Sequence, residues 1–363
     1  MKKRRTGKKK HGTLRFLLLA VYSVLLIRHS EEIAEGVHAA LMRCINVIVP
    51  SLFAFLAAAD MLVRGGAYIH LSLPLRPLSW LLGIPRELGS VFVISNAAGY
   101  PSGAAAIKAM HASGRIDGRS ASRLLCFCFN GGPAFFAGAA GTAVFGSART
   151  GITVWLSVFA ANILTAAFVC RLFPIEAKSA ADSPSGQDSL LTESVTAAGR
   201  ALFNICGTIL LFSTFLTLVR LGCARAGSDS GIVRTLSCFL EISEIAEMKG
   251  SPARLMPLIC AAGAFGGVCV LLQVKAIVGS SFSLLPFLAA RTVCAALAAV
   301  ISLPFCRALT GRAEAAAVNI VPAAEPQRVF PALCLVMMII LTLAAGRKDH
   351  GGTHSAICTN PTP

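Results

Sequence analysis

Five residues combine hydrogen-bonding side chains with an unusual setting: Asn96, Tyr100, Ser102, Asn130 and Gln273. Asn and Gln offer a carbonyl acceptor and two N–H donors, and the hydroxyls of Ser and Tyr both donate and accept. Together they have the chemistry to hold a nucleobase, a sugar or a carboxylate. Asn96, Tyr100 and Ser102 interrupt the apolar run 91–107 (VFVISNAAGYPSGAAAI), and Asn130 opens the break Phe129-Asn-Gly-Gly-Pro-Ala-Phe135. Gln273 follows a third break, Ala261-Ala-Gly-Ala-Phe-Gly-Gly267. In hydrocarbon, backbone that leaves the helix is tolerated only where protein covers it or a polar cavity adjoins it. Apolar segments broken by Gly or Pro in both halves of a chain point to a transporter-type midplane site.

The structural breaks are Gly99, Pro101, Gly103, Gly131, Gly132, Pro133, Gly266 and Gly267. The glycines alone would also fit close helix packing; the adjoining prolines argue for true interruptions. Asn96 and Asn130 have two readings. Each caps its own break, or both face a cavity to which half-helix N-termini add positive potential. Two such amides at two breaks favour the cavity.

Other candidate chemistry is thinner. Asp60 lies one turn from Arg64, and Lys275 lies near a segment end, so a local pair and snorkelling account for them. Gln273 is the better internal polar group. Glu241, Glu244 and Glu247 recur every three residues, which reads as one face of a helix and mainly a solvated one. There is no Gly-x-Ser-x-Gly elbow, His-Glu-x-x-His or phosphate-binding Gly-x-x-x-x-Gly-Lys sequence, so no catalytic residue is assigned and no enzyme is read. The thirteen cysteines are scattered without Cys-x-x-Cys spacing and read as packing residues; no metal or cofactor is expected.

The elements that position these groups follow from composition. The 363 residues are 55% hydrophobic and 14% charged, against roughly 25% charged in soluble domains, so lipid is the solvent for most of the chain. Half of the net charge of +16 lies in a tail bearing Lys2, Lys3, Arg4, Arg5, Lys8, Lys9, Lys10 and Arg15. That tail reads as a cytoplasmic N-terminus in contact with anionic lipid, not as a nucleic-acid footprint. Residues 14–27 read as an uncleaved first helix; a cleaved signal is the alternative.

The order read along the chain is a basic tail (1–13), a first membrane helix with an interfacial helix (14–44), a first half (45–173), a polar linker (174–198) and a second half (199–306). A connector with a last membrane helix (307–345) and a polar tail (346–363) complete it. Each half carries an apolar helix with an early Asn, a short amphipathic element and a Gly-interrupted helix, which suggests a pseudo-repeat. The fold class read is therefore all-α and polytopic, with about eight membrane segments, some broken or re-entrant.

Gly99-Tyr-Pro-Ser-Gly-Ala104 followed by Phe129-Asn-Gly-Gly-Pro-Ala-Phe135 resembles the nucleoside-recognition, or Gate, domain family, and within it the YlbJ-like branch of sporulation integral membrane proteins. Val49-Pro-Ser-Leu-Phe53, Phe239-Leu-Glu-Ile-Ser-Glu244, Phe265-Gly-Gly267 and Gln273 fit the same pattern, so the resemblance covers about 45–304. Two departures remove polar groups: no hydroxyl residue lies in Asn130-Gly131-Gly132, and Ala104-Ala105 stands where a lysine is common, leaving Lys108 as the nearest cation. The resemblance implies a multi-pass protein of the membrane around the forespore, acting in spore cortex assembly.

Two functions are expected on this footing. The first moves or senses a small polar solute through a midplane site. The second is a non-transporting scaffold or regulator in the forespore membrane. An enzyme acting on a lipid-linked precursor is a distant third. Partners expected are membrane lipids, a small polar solute, and a second copy of the chain or other sporulation membrane proteins, with no nucleic acid.

Overall fold

The computed structural model describes residues 3–66, 68–177, 190–227 and 230–316. All the regular structure among them is helical, with no strand. The first group comprises α1 (Lys3–Arg28), α2 (Ser30–Arg43), α3 (Val49–Arg64), α4 (Tyr68–Leu71) and α5 (Arg76–Leu82). Next come α6 (Leu88–Ala97), α7 (Tyr100–Ala112), α8 (Gly118–Leu125), α9 (Pro133–Phe135), α10 (Ala143–Phe145) and α11 (Ala148–Leu172). The last are α12 (Leu190–Arg225), α13 (Ser230–Leu240), α14 (Pro252–Phe265), α15 (Gly267–Val278) and α16 (Leu285–Ala316). π-helical turns lie at Cys44–Ile48 and Phe136–Thr142, and a 3-10 helix at Ile242–Glu247.

Four stretches are long and apolar enough to cross a membrane: Ala148–Leu172, Leu190–Arg225, Pro252–Val278 and Leu285–Cys306. At 1.5 Å per residue, the 36 residues of α12 extend about 54 Å, beyond the ~30 Å hydrocarbon core. These helices are those a multi-pass membrane protein needs, and their outward faces carry exposed Phe168, Phe203, Val293 and Val300.

Two helical groups flank the broken segments. On one side α11, α14 and α16 pack together; on the other α12 packs along α2 and α3. Between them α7 lies against α15, joined by α3 and α12. The core therefore sits where the interruptions are.

The breaks have a local cause. After α6, Gly99 takes φ 100°, ψ 164°, and Pro101 follows in the first turn of α7. After α14, Gly266 (φ 88°) and Gly267 (φ 77°) turn the chain into α15. A side chain is strained at these dihedrals. At Gly266 a Cβ would also collide with the Phe129 ring.

Several expectations are redrawn. Glu241, Glu244 and Glu247 do not share a helix face: α13 ends at Leu240, and Glu241 is extended (φ −138°, ψ 113°) before the 3-10 helix. Glu244 is buried rather than solvated, gripped by Arg43 (2.7 Å) and Arg220. Glu247 alone keeps an exposed side chain. Residues 190–198 of the linker belong to α12, while 178–189, the last membrane helix at 329–345 and the tail at 346–363 lie outside the described residues. Asp60 pairs with Arg64 at 2.8 Å, and Lys275 reaches the Gly279 carbonyl at 2.7 Å. The cysteines 44, 126, 128, 170, 238, 260, 269, 294 and 306 are buried, as packing residues are.

Candidate functional site

The breaks of the two halves meet. Tyr100, at the first turn of α7, donates its phenol hydrogen to the Gly263 carbonyl of α14 at 2.9 Å. Its ring lies 4.9 Å from that of Phe129, which in turn stacks edge-on against Phe287 at 5.1 Å. Two faces form around this crossing, one at helix C-terminal ends and one at helix N-terminal ends.

The C-terminal face is a closed polar network. Arg291 of α16 is fully buried. It donates to the carbonyls of Phe129 (3.1 Å), Ala264 (3.2 Å) and Cys126, and to Oδ1 of Asn162 (2.9 Å). Cys126 and Phe129 follow the end of α8, and Ala264 is in the last turn of α14. Carbonyls there lack intrahelical partners and carry the negative end of the helix dipole. They solvate the guanidinium in place of a carboxylate, and the Phe129 ring adds a cation–π contact at 5.3 Å.

Asn162 and Asn96 extend the network. Asn162 donates to Oδ1 of Asn96 (2.7 Å) and to the Phe129 carbonyl (3.0 Å). Asn96 donates to the carbonyls of Phe92 (2.8 Å) and Phe127 (3.2 Å). Asn96 thus bonds the backbone of its own helix and of the segment after α8, and it lines neither the chamber nor the cleft described below. Arg291 and Asn162 went unread in the sequence. The signal was present, because an ionisable residue inside an apolar run marks a site by default.

The N-terminal face holds a chamber of about 30 Å³, room for one or two waters. Gly99, Tyr100, Pro101, Gly132, Val270 and Gln273 line it from the breaks and their following helices, and Ile48, Leu52, Ile205 and Ile209 close it. Its polar groups are Glu241, Ser243 and Gln273. Glu241 is 2% exposed; its carboxylate accepts from the Ser243 N–H at 3.0 Å and from the Ser243 hydroxyl. Gln273 donates to Sγ of Cys269 at 3.6 Å.

Of the five residues first singled out, Tyr100 and Gln273 meet at the chamber. Ser102 donates to the Gly99 carbonyl at 2.6 Å and lines a separate cleft. Asn130 is fully buried, and neither of its amide atoms has a hydrogen-bond partner. Among the described residues no group of His, Cys, Asp and Glu is placed to hold a metal ion. No family model, no curated protein and no solved structure matches this chain.

Proposed function

We propose that this is a multi-pass membrane protein that moves a small polar solute through the crossing of its broken helices, with the conformation described being closed around the chamber. The observation that carries the reading is the chamber itself. Glu241 and Ser243 at the start of the 3-10 helix and Gln273 midway along α15 border it beside the start of α7, so three polar residues stand near positive helix ends in an otherwise apolar lining. On this reading about eight segments cross the bilayer. The helix–break–helix units α6–α7 and α14–α15 correspond in two pseudo-repeated halves, and the N-terminus is cytoplasmic.

The resemblance to the Gate family carries the biological assignment: a role in spore cortex assembly in the forespore-surrounding membrane. A second reading, a non-transporting scaffold there, draws on the small size of the chamber, far below the roughly 300–1,000 Å³ of ordinary ligand pockets. The test of the biological assignment is expression in a spore-forming host lacking its own counterpart. Restored cortex and forespore localisation support it; a cortex-less spore with the protein correctly inserted overturns it.

A further inference from the structure

We infer that the cleft bounded by α3, α7, α12 and α15 is the water-filled vestibule of the chamber, the route by which a small hydrophilic solute reaches it. This rests on the solute-moving reading, and the experiment below separates the two. The cleft encloses about 370 Å³, within the range of ligand-sized pockets.

Its position relative to the chamber carries the inference. On α3 the chamber touches Leu52 and the cleft Leu56; on α15 they touch Gln273 and Ile277. On α7 they touch Pro101 and Ala105, and on α12 Ile205 and Ala201. Every step is four residues, one helical turn of about 5.4 Å. The step runs toward the C-terminus on α3, α7 and α15 and toward the N-terminus on α12. Four walls displaced by one turn put the two spaces end to end, with Ser102 lining the cleft beside Pro101 of the chamber.

The walls say what fills it. Alanines of α7 and α12 keep it open, while Asp60, Arg64 and Lys108 line it. The Lys108 ammonium donates to the Ile277 carbonyl in the last turn of α15, and Arg64 reaches both Asp60 and Glu193 (3.8 Å). Charged groups facing acyl chains are costly, and a roomy polar space holds water. Arg64 and Lys108 against Asp60 leave its lining with a small positive excess, and both cations are already held by partners, so it focuses ions of one charge only weakly.

The test is cysteine accessibility in the full-length protein in membrane vesicles, with labelling of the native thiols subtracted. Ser102→Cys and Ala112→Cys are treated with membrane-impermeant methanethiosulfonates, one anionic and one cationic. The expected result is that Ser102→Cys reacts with both, the anionic reagent no more slowly than the cationic one. Ala105→Trp or Ala198→Trp then slows it at least tenfold, while Ala112→Cys is unchanged. Two plugs on different helices guard against one misfolding. Ser102→Cys reacting only with a permeant maleimide, or at a rate indifferent to both plugs, overturns the vestibule. Plugs that slow labelling but leave cortex formation intact uphold the vestibule and overturn the solute-moving reading.

Discussion

The amide of Asn162 donates to the amide oxygen of Asn96 across 2.7 Å, and both side chains are fully buried. The same Asn162 accepts from Arg291. Three side chains on α6, α11 and α16 therefore form one connected set that also bonds backbone after α8 and at the end of α14. In an apolar interior such a set is stabilising only while every member is present.

Asn96→Leu and Asn162→Leu should each destabilise the protein by about 2–3 kcal/mol, because each strands buried partners. The double variant should lose clearly less than the sum, since the second substitution removes groups the first has already orphaned. Thermal unfolding in detergent of the four proteins measures this; strict additivity would show that the two amides act independently.

Arg291→Met should cost more than either, about 3 kcal/mol or greater, as several carbonyls lose a charged donor at once. Arg291→Lys should recover only part, because an ammonium cannot reproduce the planar fork that reaches the ends of α8 and α14 and Asn162 of α11 together. Folded yield and unfolding temperature, ranked wild type above Lys above Met, are the readout; equal Lys and wild type would refute the fork.

Gly266→Ala is expected to destabilise by about 1–3 kcal/mol from backbone strain alone, with the collision against Phe129 added. Gly138→Ala, with open space around its Cβ position and no positive φ, should be near neutral. The contrast in unfolding temperature checks that the break, rather than glycine content, is what matters.

Asp117 caps α8, accepting from the Ser120 N–H at 2.7 Å. Hydrogen bonds from Ser120 hold its carboxyl below the ordinary value of 3.8. A folded-state pKa below the unfolded one means the contribution is full above that ordinary value and is lost as pH falls through the lower folded value. Asp117→Ala should cost about 1 kcal/mol near neutral pH, and the gap to wild type should narrow progressively below pH 3.8. A gap constant down to pH 2 would sink this account of the cap.

What was legible in the sequence was the set of interruptions. Glycine and proline inside apolar runs have few roles, so Gly99, Pro101, Gly132, Pro133 and Gly266 could be read one at a time. Asp60 with Arg64 was legible for a similar reason, being one turn apart. The long-range assembly was not. Asn162 sits mid-helix in an apolar run, and its partners Asn96, Phe129 and Arg291 lie 66, 33 and 129 residues away. Local periodicity holds no trace of such pairings. Glu241 was misplaced on a helix face because a three-residue spacing suits a helix, whereas the backbone turns extended at Glu241 itself to let its carboxylate cap the next element. Asn96 lay in the right place for both of its readings, and only its partners show that it serves backbone.

The central claim is that the chamber handles a solute, and the Glu241→Gln, Gln273→Leu double variant tests it most directly. It should be made in a spore-forming host in which the wild-type chain supports cortex formation, with membrane level and unfolding temperature matched to wild type. The account predicts loss of cortex, because the two polar groups that converge at the N-terminal face are altered while the Arg291 network is untouched. A normal cortex from that variant would contradict it and leave the broken helices as the frame of a scaffold.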